Sequence, residues 1–258
     1  MMDLSGKHGL VLGVANKRSL AWAIAKKASE AGADLVLTYQ GERLEENVRE
    51  LAATLPRPPL IVPCDVTSDD QIAAAFAAAD EKFGGLDFVV HGAGFAPPEA
   101  LSEPFVQTSR EAFRVALDIS AYSLVAMARA AAPLLAKRGG GSILTLTYLG
   151  SQRVLQNYNV MGVAKAALET SVMYLASDLG AQNTRVNAIS AGPVKTLAAY
   201  GISGFSGILQ VYRDKAPLKR NIDAGEVADT ALFLLSPASR GITGETLFVD
   251  AGYHVMGL

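Results

Sequence analysis

Cysteine, net charge and long apolar runs are all scarce in this sequence of 258 residues. The single cysteine, Cys64, excludes an internal disulfide bond and a metal site built from several thiolates. Lys and Arg number 23 and Asp and Glu 25, so the net charge of −2 provides no global positive field to attract nucleic acid or an anionic membrane. No uncharged apolar run reaches the roughly 18 residues that span a bilayer, because glycines interrupt the longest candidate, residues 196–212.

The N-terminal residues also lack the basic-then-apolar plan of an export signal. Hydrophobic residues make up 50% of the chain, too many for a disordered protein and enough to leave apolar surface for a subunit interface. We therefore expect a soluble, cytoplasmic protein that forms one domain over residues 1–258, with no metal, nucleic-acid or membrane partner.

Short apolar runs alternate along the chain with longer Ala-rich stretches. The runs that predict strands are residues 8–14, 34–39, 59–64, 86–91, 142–148, 184–189 and 245–250. The stretches that predict helices are residues 20–31, 43–55, 69–83, 108–137, 157–180 and 223–236. Buried strands separated by helices are typical of a parallel sheet covered on both faces. The pattern favours a doubly wound α/β fold with a seven-stranded parallel sheet over an eight-fold barrel.

Capping residues mark several of these helix ends. Ser68 lies among the polar residues that precede the helix predicted at 69–83, and Gly84 follows that helix. Asp223 precedes the helix that carries Glu226.

The turn after the first predicted strand is where a dinucleotide pyrophosphate would bind, because the N-terminus of the next helix offers free N–H groups. Only Gly13 represents the usual three-glycine fingerprint there, although small residues, among them Ser19, still permit close approach of backbone to phosphate. An ordinary loop with a capping serine is the alternative interpretation.

Other strand ends are expected to meet at the same edge of the sheet. Gln40 follows the second strand, at the position where a carboxylate would bind the ribose diol of NADH and an arginine would bind the 2′-phosphate of NADPH. A neutral amide does not distinguish the two cofactors. Arg43 lies nearby, so binding of a 2′-phosphate stays an alternative. Asp65 follows the third strand, where it would meet an adenine edge or cap the next helix. Ala93, between two glycines, follows the fourth strand and allows either a flat ligand or a tight turn.

Tyr158 and Lys165 are the strongest local sign of chemistry. Seven residues are about two helical turns, so the two side chains would share a helix face, with the lysine stem leaning back toward the tyrosine. An ammonium near a phenol favours phenolate character and strengthens its hydrogen bond to a developing oxyanion. A packed tyrosine beside a solvated lysine is the alternative.

Longer stretches of the chain resemble the short-chain dehydrogenase/reductase superfamily, and within it the NADH-type bacterial enoyl-[acyl-carrier-protein] reductases. The resemblance runs nearly end to end and includes LSGKHGLVLGVANKRSLAWAIA, YNVMGVAKAALE and GITGETLFVDAGYHVMG. In most of the superfamily the tyrosine lies four residues before the lysine, a position that Met161 occupies here without a proton to donate. A hydroxyl moved to Tyr158, with a second tyrosine at Tyr148, marks the enoyl reductase branch.

This resemblance implies a Rossmann-type domain, NADH as cofactor with NADPH as a secondary possibility, an enoyl thioester on acyl carrier protein as substrate, and a homotetramer. The implied catalytic residues are Tyr148, Tyr158 and Lys165. The cofactor-binding residues are Gly13, Ser19, Leu20, Gln40, Asp65, Val66, Ala93, Lys165, Val194, Lys195, Thr196, Leu197 and Ala198. The substrate-binding residues are Ala96, Tyr148, Tyr158, Met161 and Phe205.

The chemistry of enoyl reduction also explains why the tyrosine hydroxyl would lie at residue 158 and not at residue 161. Hydride reaches the β-carbon, so negative charge accumulates farther away, on the thioester oxygen, where Tyr158 would stabilise it. Tyr148 would border the thioester, as a proton donor or only as a wall of the pocket. The alternatives are a ketone or alcohol oxidoreductase, which Met161 disfavours, and a cofactor-binding regulatory or scaffold protein, which the tyrosines and Lys165 disfavour.

Residues 195–215 are predicted to form a substrate lid, since apolar residues such as Tyr200 and Phe205 lie there among three glycines. A surface helix or a subunit contact is the alternative. Three cationic residues would either contact an acidic carrier protein or form a solvated rim, namely Lys215, Lys219 and Arg220.

Overall fold

The computed structural model describes residues 2–196 and 204–257. Within them, seven strands form one parallel sheet in the order β3-β2-β1-β4-β5-β6-β7. The strands are β1 (His8–Leu12), β2 (Asp34–Tyr39), β3 (Leu60–Pro63), β4 (Phe88–His91), β5 (Gly141–Thr147), β6 (Thr184–Ala191) and β7 (Thr246–Val249). The order reverses between β1 and β4, so the doubly wound fold is confirmed and the barrel is excluded.

Helices cover both faces of this sheet. Those of the described residues are α1 (Leu20–Glu30), α2 (Glu42–Ala52), α3 (Asp69–Phe83), α4 (Pro98–Ser102), α5 (Arg110–Leu117), α6 (Ser123–Lys137), α7 (Asn159–Gly180), α8 (Phe205–Lys215) and α9 (Ala224–Leu235). Trp22 of α1 and Leu232 of α9 belong to the core on one face. Phe76 of α3, Met127 of α6 and Leu168 of α7 belong to the core on the other. Strands buried from both sides explain the nearly continuous apolar runs of the sequence.

The predicted helix caps at Ser68, Gly84 and Asp223 are confirmed. The structure also decides that Asp65 is not a helix cap. The Ser68 side chain accepts a hydrogen bond from the Gln71 N–H at the start of α3, and Gly84 ends α3 in the left-handed conformation. Asp223 and Glu226 form a capping box on α9. Asp65 does not cap α3, because its carboxylate accepts instead from the backbone and hydroxyl of Thr67.

Several predicted boundaries differ from the structure by one to three residues at strand and helix ends, and the largest difference is at the helix predicted at 43–55, which ends at Ala52. The first strand was predicted to reach Val14 but ends at Leu12, because Gly13 turns the chain with φ +95°. The sixth continues beyond residue 189 to Ala191, paired with β7. Helices α4 and α8 were not predicted as helices; both lie beside the cavity described below.

The helix predicted at 108–137 begins at Arg110 and contains a π-helical turn, Asp118–Tyr122, between α5 and α6. The whole stretch Arg110–Lys137 is long and apolar enough, by length and composition, to cross a membrane. The search for uncharged apolar runs in the sequence did not identify this stretch, because charged residues such as Asp118 interrupt it. Its most apolar window is 56% buried inside the protein, as in a core helix, so this is weak evidence for a membrane span.

Candidate active site

The ends of β1 and β4 meet with no space for side chains between them. A Cβ on Gly13 would lie 2.4 Å from the Gly92 carbonyl oxygen, and a Cβ on Gly92 would lie 2.6 Å from that of Leu12. Packing of neighbouring strand ends is therefore enough to require both glycines. Small residues in these two turns were open to a ligand or to a tight turn, and the contact between the strands is a reason for them that needs no ligand.

A cavity of about 720 Å³ opens at the carboxyl ends of β1 to β4, where doubly wound folds bind nucleotides. Of the predicted cofactor residues, those that line it are Gly13, Ser19, Leu20, Gln40, Val66, Ala93 and Thr196. Asp65 and Lys195 do not line it. Leu197 and Ala198 lie outside the described residues.

The N-terminus of α1 faces this cavity without a side-chain cap. Ser19 occupies the capping position, but its hydroxyl donates to the Asn16 carbonyl oxygen at 2.8 Å instead of accepting from the helix. The Asn16 side chain accepts from the Arg18 N–H at 2.8 Å and holds the turn. The alternative of a loop with a capping serine is thus not realised, and the first N–H groups of α1 remain available to an anion.

A carboxylate that does not itself line the cavity is hydrogen-bonded to the cavity-lining residue after β2. The Gln40 side-chain amide donates to Asp65 at 3.1 Å. Burial acts to raise the pKa of Asp65, but hydrogen bonds from Thr67 and Gln40 hold it below its usual range. Asp65 therefore stays charged and opposes an additional phosphate near Gln40, whereas Arg43, which lines the cavity, would attract one.

A second cavity, of about 420 Å³, adjoins the first and shares with it Leu20, Gly92 to Phe95, Leu146 and Thr196. All five predicted substrate residues line it, namely Ala96, Tyr148, Tyr158, Met161 and Phe205. Lys165 and Val194 also line it. Sequence reasoning missed Phe95, Pro98 and Leu101 on its walls, because apolar residues in a loop and a short helix carry no pattern that separates a pocket wall from core.

The π-helical turn holds Phe95 between the two cavities. The hydroxyl of Ser120, fully buried in that turn, accepts from the Phe95 N–H at 2.9 Å and donates to the Phe95 carbonyl oxygen at 3.0 Å. Such turns are frequent at functional sites. Nothing in the sequence signals it.

Tyr158 is held at the start of α7 by an unusual backbone. The helix begins at Asn159 and not at 157, so Tyr158 is the residue just before it. Asn157 and Asn159 flank it with φ of 61° and 39°, a region that asparagine tolerates better than most residues. The Asn159 amide donates to the carbonyl oxygens of Leu101 at 3.0 Å and Glu103 at 2.7 Å, which ties α7 to the end of α4.

Lys165 lies in the same cavity wall and is 8% exposed, as is Tyr158. Its ammonium donates to the Leu146 carbonyl oxygen at 2.8 Å. Burial, opposed by the charge of Glu169, lowers the pKa of Lys165 to about 8. The lysine is therefore mostly charged at neutral pH and is not the solvated side chain of the alternative interpretation.

The expectation that Lys165 gives Tyr158 phenolate character does not hold in this structure. Burial raises the pKa of Tyr158 far above its usual range, and Tyr148 and Glu169 raise it further. The hydroxyl is thus fully protonated at neutral pH. Such a group is a hydrogen-bond donor to an oxyanion and not a base.

Two neighbouring residues complete the electrostatics of this region. His91 at the end of β4 is buried, and its ring nitrogens lie 2.8 Å from the Thr145 hydroxyl and 2.7 Å from that of Ser123. Burial and Lys165 lower the pKa of His91 to about 3, so it is neutral and no proton donor. Cys64 lines the nucleotide cavity with its pKa raised by burial to about 11, hence as a thiol.

The turn that follows β5 packs directly on the Tyr158 ring. A Cβ on Gly150 would lie 2.3 Å from that ring. We expect Gly150→Ala to displace Tyr158 and to lower kcat of the enoyl reduction that the sequence predicts by at least tenfold without changing cofactor affinity. Gly180→Ala, at the far end of α7 with nothing within 4 Å, is the matched control. Equal activity of the two variants in a steady-state assay would show that the ring needs no such support.

A doubly wound parallel sheet with a nucleotide-sized cavity at its carboxyl edge, joined to a buried Tyr158–Lys165 pair, defines a dinucleotide-dependent oxidoreductase. A family model described as enoyl-(acyl carrier protein) reductase matches residues 13–254. The chain belongs to the enoyl-(acyl carrier protein) reductase family.

Relatives agree along the whole chain. The enoyl-[acyl-carrier-protein] reductase [NADH] FabI of Bacillus cereus is 53% identical over 255 residues, which are 98% of this chain and 99% of the relative. The crystal structure of the Bacillus cereus enoyl-acyl carrier protein reductase with NADP+ and indole naphthyridinone has a TM-score of 0.97, with 100% of both chains covered. The corresponding reductase of Anaplasma phagocytophilum, in complex with NAD, has a TM-score of 0.95 at 48% identity and covers 100% of this chain and 99% of that one.

Proposed function

We propose that this protein is an NADH-dependent enoyl-[acyl-carrier-protein] reductase that saturates the trans-2 double bond of an enoyl thioester in fatty acid biosynthesis. The observation that carries the proposal is the pairing of a protonated, buried Tyr158 with Met161 in one cavity wall. Met161 occupies the position from which the tyrosine of a ketone reductase would act, and it has no proton to donate.

The residues at the carboxyl edge fit a dinucleotide. The uncapped N-terminus of α1 offers N–H groups to a pyrophosphate, and the close contact of Gly13 with Gly92 keeps Cβ atoms out of the path. Gln40 and Asp65 suit a ribose diol better than a 2′-phosphate, which supports NADH, with NADPH as a secondary cofactor through Arg43. Lys165, Ala93, Val194 and Thr196 would hold the nicotinamide end.

When bound, NADH supplies the hydride that is added at the β-carbon of the enoyl thioester. Tyr158 donates a hydrogen bond to the thioester oxygen, where negative charge accumulates. Lys165 would hold the ribose hydroxyls of the cofactor with its ammonium. Tyr148 would border the thioester, and Met161 and Phe205 would pack along the acyl chain. A proton from solvent, directly or through a relay, adds at the α-carbon and completes the saturated product.

A direct assay separates this proposal from its alternatives. Crotonyl thioester should cause NADH oxidation, followed by the fall of NADH absorbance, and acetoacetyl thioester should not. Oxidation with the ketone substrate alone would identify a ketone reductase. Binding of the cofactor without turnover of either substrate would identify a regulatory protein.

We also propose that residues 195–215 cover the acyl cavity and that residues 1–258 act as one catalytic domain. The described part of this segment supports the first point, because Phe205 and Ile208 of α8 line the cavity. Of the three cationic residues considered for carrier protein, Lys219 donates to the Asp214 carbonyl oxygen and Arg220 pairs with Glu226 at 2.7 Å. Those partners favour a solvated rim for both.

A cytoplasmic homotetramer is the assembly we propose. Val163 and Tyr174 lie eleven residues apart on α7, on one helix face, and are 36% and 72% exposed. Apolar groups exposed along one helix face are typical of a subunit interface.

Tyr174→Glu is therefore expected to dissociate the tetramer, because each copy would bring a carboxylate into an apolar contact. Sedimentation velocity measures the change. Val154→Glu, at a fully exposed position outside α7, should remain tetrameric. A tetramer that survives Tyr174→Glu would place the interface elsewhere.

A further inference from the structure

Glu169 lies on α7, one helical turn after Lys165, and the proposed mechanism does not use it. The residue is partly buried, and one of its carboxylate oxygens accepts from the Thr147 hydroxyl at 2.7 Å and from the Ser151 hydroxyl at 2.6 Å. The other oxygen accepts from the Gln152 amide at 3.4 Å. A carboxylate that accepts several hydrogen bonds from one turn holds that turn more firmly than pairs of neutral groups would.

The two hydroxyls that donate to Glu169 lie on either side of Tyr148 in the chain. Thr147 is the last residue of β5 and is 5% exposed, whereas Ser151 is the last residue of the 3₁₀ turn Leu149–Ser151. The carboxylate therefore fastens both ends of residues 148–150 to one point of α7.

Residues 148–150 also pack against α7 and against the tyrosine that precedes it. A Cβ on Gly162 of α7 would lie 2.7 Å from the Gly150 carbonyl oxygen, and a Cβ on Gly150 would lie 2.3 Å from the Tyr158 ring. The rings of Tyr148 and Tyr158 meet edge to face, with the centroids 5.2 Å apart and 76° between the planes. Packing therefore stops this segment from moving closer to α7, and the Glu169 carboxylate stops it from moving away.

We propose that Glu169 is a positioning residue: its carboxylate holds residues 148–150 against α7 and thereby fixes Tyr148 and the Tyr158 ring in the wall of the acyl cavity. A misplacement of about 1 Å caused by a change away from the reacting atoms can cost about 10²-fold in rate, so such support matters for an oxyanion donor. The inference rests on the proposed function for the reaction that Tyr158 serves, whereas the hydrogen bonds of Glu169 do not depend on it.

Two substitutions at Glu169 separate its hydrogen bonds from its charge. The charge matters because residues four apart on a helix are neighbours, so Glu169 also acts on the Lys165 ammonium. Glu169→Gln removes the charge, but its side-chain carbonyl oxygen has two lone pairs and can still accept from both hydroxyls. Glu169→Ala removes the charge and the acceptor, so the difference between the two variants measures the positioning alone.

Steady-state kinetics with crotonyl thioester test the proposal. Glu169→Ala is expected to have a kcat about tenfold below that of Glu169→Gln, because a displaced donor slows the chemical step. NADH affinity should be equal in the two variants, since both have lost the same charge. Asp178→Ala, which removes an exposed carboxylate farther along α7, is the matched control and should keep wild-type kcat. Equal kcat of Glu169→Ala and Glu169→Gln would overturn the proposal.

Removal of the donors tests the same contact from the other side. The double variant Thr147→Val, Ser151→Ala should lower kcat about as much as Glu169→Ala does, and it serves in its place if Glu169→Ala does not fold. Addition of Glu169→Ala to the double variant should change kcat by less than about twofold, because the groups that the carboxylate holds are gone. Wild-type kcat in the double variant, or additive losses in the combined one, would contradict the proposed role.

A further measurement needs no turnover. In protein labelled with ¹³C at the tyrosine ζ-carbons, the Tyr158 resonance is assigned by its absence in Tyr158→Phe. It is expected to differ between Glu169→Ala and Glu169→Gln and to stay in place in Asp178→Ala. The same resonance position in both Glu169 variants refutes the positioning role, whatever the enzyme reduces. If wild-type protein fails to oxidise NADH with crotonyl thioester but the resonances differ, the proposed function is refuted and the positioning of Tyr158 by Glu169 stands.

Discussion

Replacing Tyr158 with phenylalanine is expected to lower kcat for enoyl-thioester reduction by about 10²- to 10³-fold, the loss typical of removing one oxyanion donor. The hydroxyl is 8% exposed and protonated at neutral pH, so it would donate to the thioester oxygen in a region without competing water. Phenylalanine keeps the ring between Gly150 and Tyr148 and removes only the donor. KM and NADH affinity should therefore change little.

Steady-state kinetics with crotonyl thioester measure the effect of Tyr158→Phe. Tyr122→Phe makes the same chemical change at a 46% exposed position that lines neither cavity and is the matched control. If the Tyr158→Phe enzyme keeps more than about a tenth of wild-type kcat, another donor stabilises the oxyanion, and Tyr148 is the nearest phenol.

The second large effect is expected at Lys165. Its ammonium is buried in the cavity wall and donates to the Leu146 carbonyl oxygen, so a bound ribose would meet a desolvated charge. Hydrogen bonds to charged groups contribute about 1.5–3 kcal/mol, and Lys165→Met should weaken NADH binding by about 10- to 100-fold. Fluorescence titration of NADH measures this, with Lys82→Met on the exposed side of α3 as the control. Unchanged affinity would refute the ribose role.

The same lysine should make cofactor binding depend on pH. Burial, opposed by Glu169, lowers the pKa of Lys165 to about 8, so its charge is lost as the pH rises through that value. NADH affinity of the wild-type protein is therefore expected to fall between about pH 7 and pH 9, and Lys165→Met should remove that dependence. A wild-type affinity that stays constant over this range would mean that the ammonium does not bind the cofactor.

Much of the fold could be predicted from the sequence because buried strands and capping residues are local signals. Seven apolar runs became seven strands, and Ser68, Gly84 and Asp223 end or begin helices as predicted. The site was predictable in part for the same reason, because Tyr158, Met161 and Lys165 lie close together along the chain and all line one cavity.

What could not be predicted depends on contacts between distant segments. The π-helical turn gave no sequence signal, yet its Ser120 holds Phe95 from 25 residues away by two hydrogen bonds. The electrostatic state of Tyr158 was misjudged because spacing places Lys165 near it but says nothing of burial, which dominates its pKa.

The sequence by itself determined the alternation of strands and helices and the placing of a hydroxyl three residues before Met161, since both follow from residue type and spacing. Only the tertiary structure decided that Gly13 and Gly92 leave each other no room and that Tyr158 is desolvated and protonated. The physical reason is that periodicity and capping act within a few residues of the chain. Burial and contact between strands or helices exist only after those elements have packed.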